Sequence, residues 1–166
     1  MDKKPAVAVI VPVCNEKCGL AEALTHFLSL GADEVIVVDG GSTDGTYEIV
    51  RDLFPSARCY RSAVPGRSRQ MNLGAAKSGA DIFIFAHIDM RLPGNAVDVV
   101  RRKILDGCAG GGFKKRYHPS GRVLKIYNDF LNRFYLARMH CLVGTNAIFV
   151  TRRVFEAMNC FPDTAF

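Results

Sequence analysis

The stretch Val35-Ile36-Val37-Val38-Asp39-Gly40-Gly41-Ser42-Thr43-Asp44-Gly45-Thr46 decides the fold. Four consecutive β-branched aliphatics leave no polar face, so Val35 to Val38 read as a strand covered on both sides, as in a parallel sheet between helices. An aspartate closes the strand, two glycines allow close approach of the backbone, and the following polar string offers caps for a helix beginning near Thr46. A carboxylate at a strand end can read sugar hydroxyls or a base N–H. A glycine-rich turn with Asp44 or Ser42 capping the helix accounts for only part of the string. No G-x-G-x-x-G occurs, which sets aside a dinucleotide fingerprint.

On either side of this stretch, Ala6 to Val11 and Ile82 to Ala86 repeat the unbroken apolar run. Between the three runs lie helix-like stretches, Gly19 to Leu30, Thr46 to Phe54 and Ser68 to Ser78, with a shorter strand at Ala57 to Tyr60. Asn95 to Leu105 reads as a further helix opened by Pro93-Gly94. The alternation predicts an α/β fold, a mostly parallel sheet flanked by helices. The run Gly110-Gly111-Gly112 leading into Phe113 to Tyr117 is expected where backbone approaches a ligand or bends sharply. Arg122 to Met139 carries apolar residues at helical spacing, a stripe that fits packing on the sheet or lying on a membrane surface. Val143 to Val150 reads as a late strand and Thr151 to Met158 as a short helix.

The 166 residues suit one domain, 1–166, and 49% hydrophobic with 23% charged residues is ordinary globular composition. There is no signal-peptide pattern and no apolar stretch of about 18 to 20 residues, so a cytoplasmic chain, soluble or peripheral to a membrane, is expected. Six cysteines, at 14, 18, 59, 108, 141 and 160, form no C-x-x-C pair and read as reduced thiols; Cys14, Cys18 and His26 are too loosely spaced to argue for a metal site. The net charge of +6 is local: residues 1–112 hold 13 basic and 13 acidic side chains, whereas 113–153 hold nine basic residues against Asp129 alone. Such a block is either a solvated face or a contact for an anionic partner. Nucleic acid is not indicated, because aromatics are not interleaved with the basic residues.

Four motifs stand at the ends of predicted strands, where open parallel sheets place their ligands. After the first strand, Pro12 is expected to stop the ladder, and Asn15 and Glu16 either hydrogen-bond a base or ribose or cap the next helix. The second motif is Asp39-Gly40-Gly41-Ser42. In the third, Gly66 to Gly74, the cations Arg67 and Arg69 and the amide Asn72 lie at the predicted start of a helix, whose N–H groups also favour anions, so a pyrophosphate suits it. In the fourth, His87-Ile88-Asp89, an imidazole and a carboxylate two residues apart at a strand terminus can converge on a Mn²⁺- or Mg²⁺-type ion that neutralises a diphosphate.

In this order the motifs resemble those of the family-2-type glycosyltransferases with the GT-A fold, over essentially the whole chain. Pro12 to Glu16 is similar to the family's P-x-x-N-E, Val37 to Thr46 to V-V-D-x-x-S-x-D-x-T, Arg69 to Gly74 to an A-R-N-x-G-like segment, and His87-Ile88-Asp89 to D-x-D. The variant G-R-x-R-Q-M-N-x-G with H-x-D resembles a bacterial subgroup of unknown substrate. The resemblance implies a Rossmann-like nucleotide-diphospho-sugar transferase moving a sugar from a nucleoside diphosphate donor to an acceptor hydroxyl with inversion. It implies that Pro12, Asn15, Glu16, Asp39 and Arg69 line the nucleotide site and that Asp89 holds the metal. Gly40, Gly41, Ser42, Arg67 and Asn72, from the same motifs, complete the expected donor set, and His87 stands where the family usually has Asp. Cys160-Phe161-Pro162-Asp163 looks like a segment that precedes the family's acidic general base, so the base is expected beyond Phe166, with Asp163 the nearest substitute.

Two other classes compete. The chain as given is a nucleotide-sugar-binding module without transfer if the base is missing. A sugar-phosphate nucleotidyltransferase would show a glycine-rich basic loop after the first strand, and Pro12 to Glu16 has none. The acceptor is expected to be anionic or lipid-linked if the basic block faces a membrane.

Overall fold

The computed structural model describes residues 4–114 and 147–163. The elements run β1 (Val7–Val13), α1 (Leu20–Ser29), β2 (Glu34–Asp39), α2 (Thr46–Leu53), β3 (Arg58–Arg61), α3 (Arg67–Lys77), β4 (Ile82–Phe85), α4 (Ala96–Leu105), β5 (Gly110–Gly112), β6 (Ile148–Thr151) and α5 (Arg152–Ala157). The sheet order is β3-β2-β1-β4-β6-β5. The first four of these strands in the sheet are parallel, whereas β6 pairs antiparallel with both β4 and β5.

Every residue of β1 and of β4 is buried, as their unbroken apolar runs predict. Alternate residues feed the two faces. Val7, Val9, Val11 and Val13 pack with Leu20, Leu24 and Phe27 of α1 and with Val97 and Val100 of α4. Ala8, Ile10, Ile36, Val38, Phe83 and Phe85 pack on the other face with Met71 and Ala75 of α3 and Phe155 of α5. Helix α3 lies so close to the sheet that a Cβ on Gly74 would sit 2.5 Å from Ile10 Cγ2 and 3.3 Å from Val38 Cγ2.

Two local expectations are corrected. Pro12 does not end the first strand, which continues to Val13 in register with β2. The backbone of Ile10 bonds toward β4 through Ala86 N, and that of Val13 toward β2 through Gly40 N. By alternation Pro12 faces the β4 side, where pairing has already ended at Ile10, so its missing N–H interrupts no ladder. The glycines 110–112 are themselves a strand against β6. What approaches them closely is Phe149: Cβ atoms built at Gly110 and Gly111 would lie 2.8 Å from its carbonyl oxygen and 2.9 Å from its ring. The stripe over residues 122–139, the start of the late strand and most of the basic block lie outside the described residues. Of the basic block, Arg152 braces the sheet, since its guanidinium donates to the Ser78 and Ala80 carbonyls and stacks on Phe83.

At the amino-terminal edge of the sheet, Arg101 of α4 is nearly buried and binds Asp33 and the Pro5 carbonyl. Burial raises the Asp33 pKa, but the Val7 N–H and Arg101 outweigh it and hold the carboxyl below its ordinary value of 3.8. No helix among the described residues is long and apolar enough to cross a membrane.

Candidate functional site

From β1 the chain moves outward through β2 to β3, and then crosses back so that β4 lies on the other side of β1. The order therefore reverses between β1 and β4. At such a reversal the carboxyl ends of the two strands are where open α/β sheets place a ligand crevice; here the helices that follow them, α1 and α4, pack on the same face of the sheet. Pro12 to Glu16, Asp39 to Ser42, the start of α3 and His87 to Asp89 all lie at this edge, which is the juxtaposition the four motifs require.

The loops after β1 and β2 are laced together by side chains. Asn15 takes a left-handed conformation, φ 55°, which asparagine tolerates; its N–H donates to Ser42 Oγ at 2.8 Å and its Oδ1 accepts from Thr43 N at 2.9 Å. Glu16 N donates to Thr46 Oγ1 at 3.0 Å and Lys17 N to Asp44 Oδ2 at 3.0 Å. The Thr46 hydroxyl, with the Thr46 and Lys17 N–H groups, holds the Asp44 carboxyl below its usual range. Asn15 thus joins one loop to the other, while the Glu16 carboxylate is left without a hydrogen bond or ion pair among the described residues.

Asp39 is fully buried. Its oxygens accept from Gly41 N at 3.0 Å and Ser42 N at 3.1 Å, which folds the Gly40–Ser42 turn back over the strand end. Its ion-pair partner is Arg61 at 3.7 Å, whose guanidinium also meets Glu48 at 3.1 Å and stacks on the Tyr47 ring at 4.1 Å. Cys59, one strand away, has its thiol pushed up to about 11 by burial and by the Asp39 charge, so it stays protonated and inert at neutral pH.

Helix α3 sends its polar side chains in two directions. Gln70, buried, donates through Nε2 to the Val13 and Val38 carbonyls, both at 2.8 Å, and ties the ends of β1 and β2 together. Gly40 leaves room for that amide, since a Cβ there would be 3.0 Å from it. Arg67, the first residue of the helix, is exposed. Arg69 and Asn72 turn away: Arg69 forms a two-point ion pair with Asp163, and Asn72 exchanges two hydrogen bonds with the backbone of Phe161. The structure thus brings the loops of Pro12 to Glu16 and Asp39 to Ser42 and the α3 terminus to one edge, and engages Arg69 and Asn72 with residues 161–163.

His87 is half-buried and Asp89 exposed, at the turn that follows β4. The turn is closed by Met90 N donating to the His87 carbonyl at 3.0 Å. One imidazole and one exposed carboxylate are suitable donor types for a Mn²⁺- or Mg²⁺-type ion, but among the described residues no group of three His, Cys, Asp or Glu side chains comes together to hold a metal, at this turn or elsewhere. The five described cysteines are free thiols, and His26 accepts the Leu92 N–H through Nε2.

Sequence reasoning missed Gln70, Arg61, Tyr47 and Thr46 as builders of this edge. A signal for Gln70 was present: it stands four residues before Gly74, and a glycine within a helix marks the side pressed against a neighbour. Arg61 had no such signal, because its partners come from two other elements.

The family model of Glycosyl transferase family 2 matches residues 8–155. Among curated proteins, glycosyltransferase AglE of Haloferax volcanii is 26% identical over 182 aligned positions, covering 96% of this chain and 57% of that protein. Glycosyltransferase AglJ of the same organism is 38% identical over 52 residues, 31% of this chain and 17% of that one. Among solved structures, the Pyrobaculum calidifontis mannosyltransferase PcManGT in complex with GDP-Man and Mn²⁺ superposes with a TM-score of 0.72 at 24% identity, over 97% of this chain and 48% of that one. The glucosyl-3-phosphoglycerate synthase of Mycobacterium tuberculosis, in complex with Mn²⁺, UDP and phosphoglyceric acid, gives 0.64 at 22% identity, over 91% and 57%. These likenesses establish the GT-A fold. The match spans about half the length of AglE and of the two solved structures, at 57%, 48% and 57%, and a smaller part of AglJ.

Proposed function

The chain belongs to glycosyl transferase family 2, and on that premise we propose that the crevice between β1 and β4 binds a nucleoside diphosphate sugar for transfer of the sugar to an acceptor hydroxyl, with inversion at the anomeric carbon. The observation that carries the reading is the gathering of the four motif loops at the reversal of strand order, with the β1 and β2 loops locked together by Asn15, Thr46 and Gln70. Pro12 to Glu16 and Asp39 to Ser42 form the nucleoside side, where the Glu16 carboxylate is available to a ribose hydroxyl. Asp39, covered by Arg61, acts on a base through movement of that half-exposed arginine, or otherwise by shaping the Gly40–Ser42 turn. Arg67 and the first N–H groups of α3, which has no acidic residue in its first turn, face the diphosphate.

Asp89 and His87 would hold a divalent ion, which when bound supplies charge neutralisation for the departing diphosphate. Two protein donors are few for Mn²⁺ or Mg²⁺, so further oxygen donors would be needed, and metal and nucleotide would be expected to bind synergistically. The complexes of PcManGT with GDP-Man and Mn²⁺ and of the M. tuberculosis synthase with UDP and Mn²⁺ support this donor chemistry. Calorimetric titration with UDP, GDP and their sugar conjugates, with Mn²⁺ and with chelator, tests it. Binding of one nucleotide is expected with metal and lost with chelator or in Asp89→Ala; a variant that binds as the parent does removes Asp89 from the site.

A second reading, binding of the sugar nucleotide without transfer, is favoured by the state of Asp163. The pairing with Arg69 holds its carboxyl below the usual range, which makes it a poor proton acceptor for an acceptor hydroxyl. Sugar transfer by the chain itself, assayed with the bound donor, would refute this reading. The acceptor class proposed from the basic block is anionic or lipid-linked, and salt-sensitive binding to anionic vesicles is its test.

A further inference from the structure

The resemblance places Arg69 at the nucleotide, but its guanidinium is engaged elsewhere. Arg69 donates through Nε and Nη2 to the two oxygens of Asp163, the second at 2.8 Å. Asn72, one helical turn on, donates Nδ2–H to the Phe161 carbonyl at 2.9 Å and accepts the Phe161 N–H through Oδ1 at 3.0 Å, reproducing with a side chain the paired bonds of a backbone ladder. The segment reaches these partners through two successive non-glycine residues in the left-handed region, Asn159 at φ 59° and Cys160 at φ 62°. Such a conformation persists only where surrounding contacts determine it. The Phe161 ring supplies another: it stands 4.9 Å from Phe85, the last residue of β4, and 5.2 Å from Phe155. Phe85 is two residues before His87, so the same segment touches α3 on one side and the root of the His87–Asp89 turn on the other.

We infer that Arg69 and Asn72 are positioning residues that clip the 160–163 segment to the first half of α3, beside the donor crevice, and so join the wall that carries Arg67 and Gln70 to the turn that carries His87 and Asp89. The diphosphate is then left to Arg67 and the α3 N–H groups. The mutual effect on the two partners, Arg69 raised and Asp163 lowered chiefly by their shared hydrogen bonds, agrees with a formed pair. The part of the inference that concerns nucleotide rests on the donor-site reading above; the clip itself does not.

The test compares Arg69→Asp, Asp163→Arg, their double exchange and Asn72→Ala in the full chain. Amide hydrogen exchange at residues 160–163 is read in each, together with calorimetry of UDP and GDP in the presence of Mn²⁺. Each single variant is expected to speed exchange at the Phe161 amide roughly tenfold, the loss of two exposed or part-buried hydrogen bonds. The double exchange should restore protection and leave nucleotide affinity within about twofold of the parent. Restoration by exchange of charges is not a result that general damage to α3 would give. Unchanged protection in all single variants overturns the clip. Affinity that is lost in Arg69→Asp and stays lost when protection returns in the double variant overturns it too, by making Arg69 a diphosphate ligand. If neither nucleotide binds the parent chain, the donor-site reading fails, while the exchange data still uphold or overturn the clip.

Discussion

Replacing Gln70 by Met tests the physical basis of the site more directly than removing a ligand-facing group. The side chain is 5% exposed and its Nε2 donates two bonds of 2.8 Å, to the carbonyls of Val13 and Val38. Met has nearly the same length and volume but no donor, so the cavity and overpacking terms stay small and the hydrogen bonds are what is removed. At a net ~1 kcal/mol for each bond, the loss is ~2 kcal/mol. It is moderated at Val13, whose carbonyl keeps the Gly40 N–H at 2.9 Å. For a chain of this size that corresponds to a fall in Tm of about 4 to 8 °C, or a lower urea midpoint at unchanged m-value.

Gln70→Glu sharpens the test. It is isosteric, yet the ionised form sets a buried charge against two carbonyl oxygens and the neutral acid keeps a donor for only one of them, so it should cost more than Met. Both variants should also weaken nucleotide binding at temperatures where the chain is fully folded, because the ends of β1 and β2 carry the two halves of the proposed nucleoside side of the site. Stability losses below about 0.5 kcal/mol in both variants would refute the assignment of Gln70 as the tie between the strands.

Gly74→Ala should destabilise by about 1 to 3 kcal/mol in urea unfolding, because its Cβ would lie 2.5 Å from Ile10 Cγ2 and either the helix or the sheet must give. A neutral result would mean that α3 lifts without cost. Acid unfolding should report Asp33. Its folded pKa is below the ordinary 3.8, so the stability it contributes is present above that value and is lost as pH falls through the folded pKa. Asp33→Asn should therefore lower stability at neutral pH and flatten the decline below about pH 4, whereas an unchanged acid limb would exclude Asp33 as a contributor.

The strands that carry the sheet were legible because burial on both faces leaves a one-letter signal. Val35 to Val38, Ala6 to Val11 and Ile82 to Ala86 admit no polar residue, and each proved to be a central strand. The glycines of β5 gave no such pattern, since a residue without a side chain carries no periodicity, and what makes 110–112 a strand is the partner β6, nearly forty residues later in the chain. Pro12 misled for a related reason. The rule against proline in a strand concerns a missing donor, and the register that makes this donor unnecessary is a property of β4 and not of the local sequence.

The site divides along the same line, between what spacing encodes and what helical phase decides. Spacing brought the four motifs to the sheet edge, because each follows a strand whose end is readable. Within α3, however, residues 67 to 74 turn through about two full turns, so neighbours in one motif face different ways. Gly74 is pressed against Ile10, and Gln70, four residues earlier, shares its side; Arg67, three earlier again, stays near that phase but beyond the last turn to touch the strands. Arg69 and Asn72, themselves three apart, share a different side and meet Asp163 and Phe161. A motif in which both arginines look equivalent is thereby split by geometry. The arginine nearer in phase to the buried glutamine, Arg67, is the one the proposed donor site assigns to the diphosphate, beside the N–H groups of the α3 terminus.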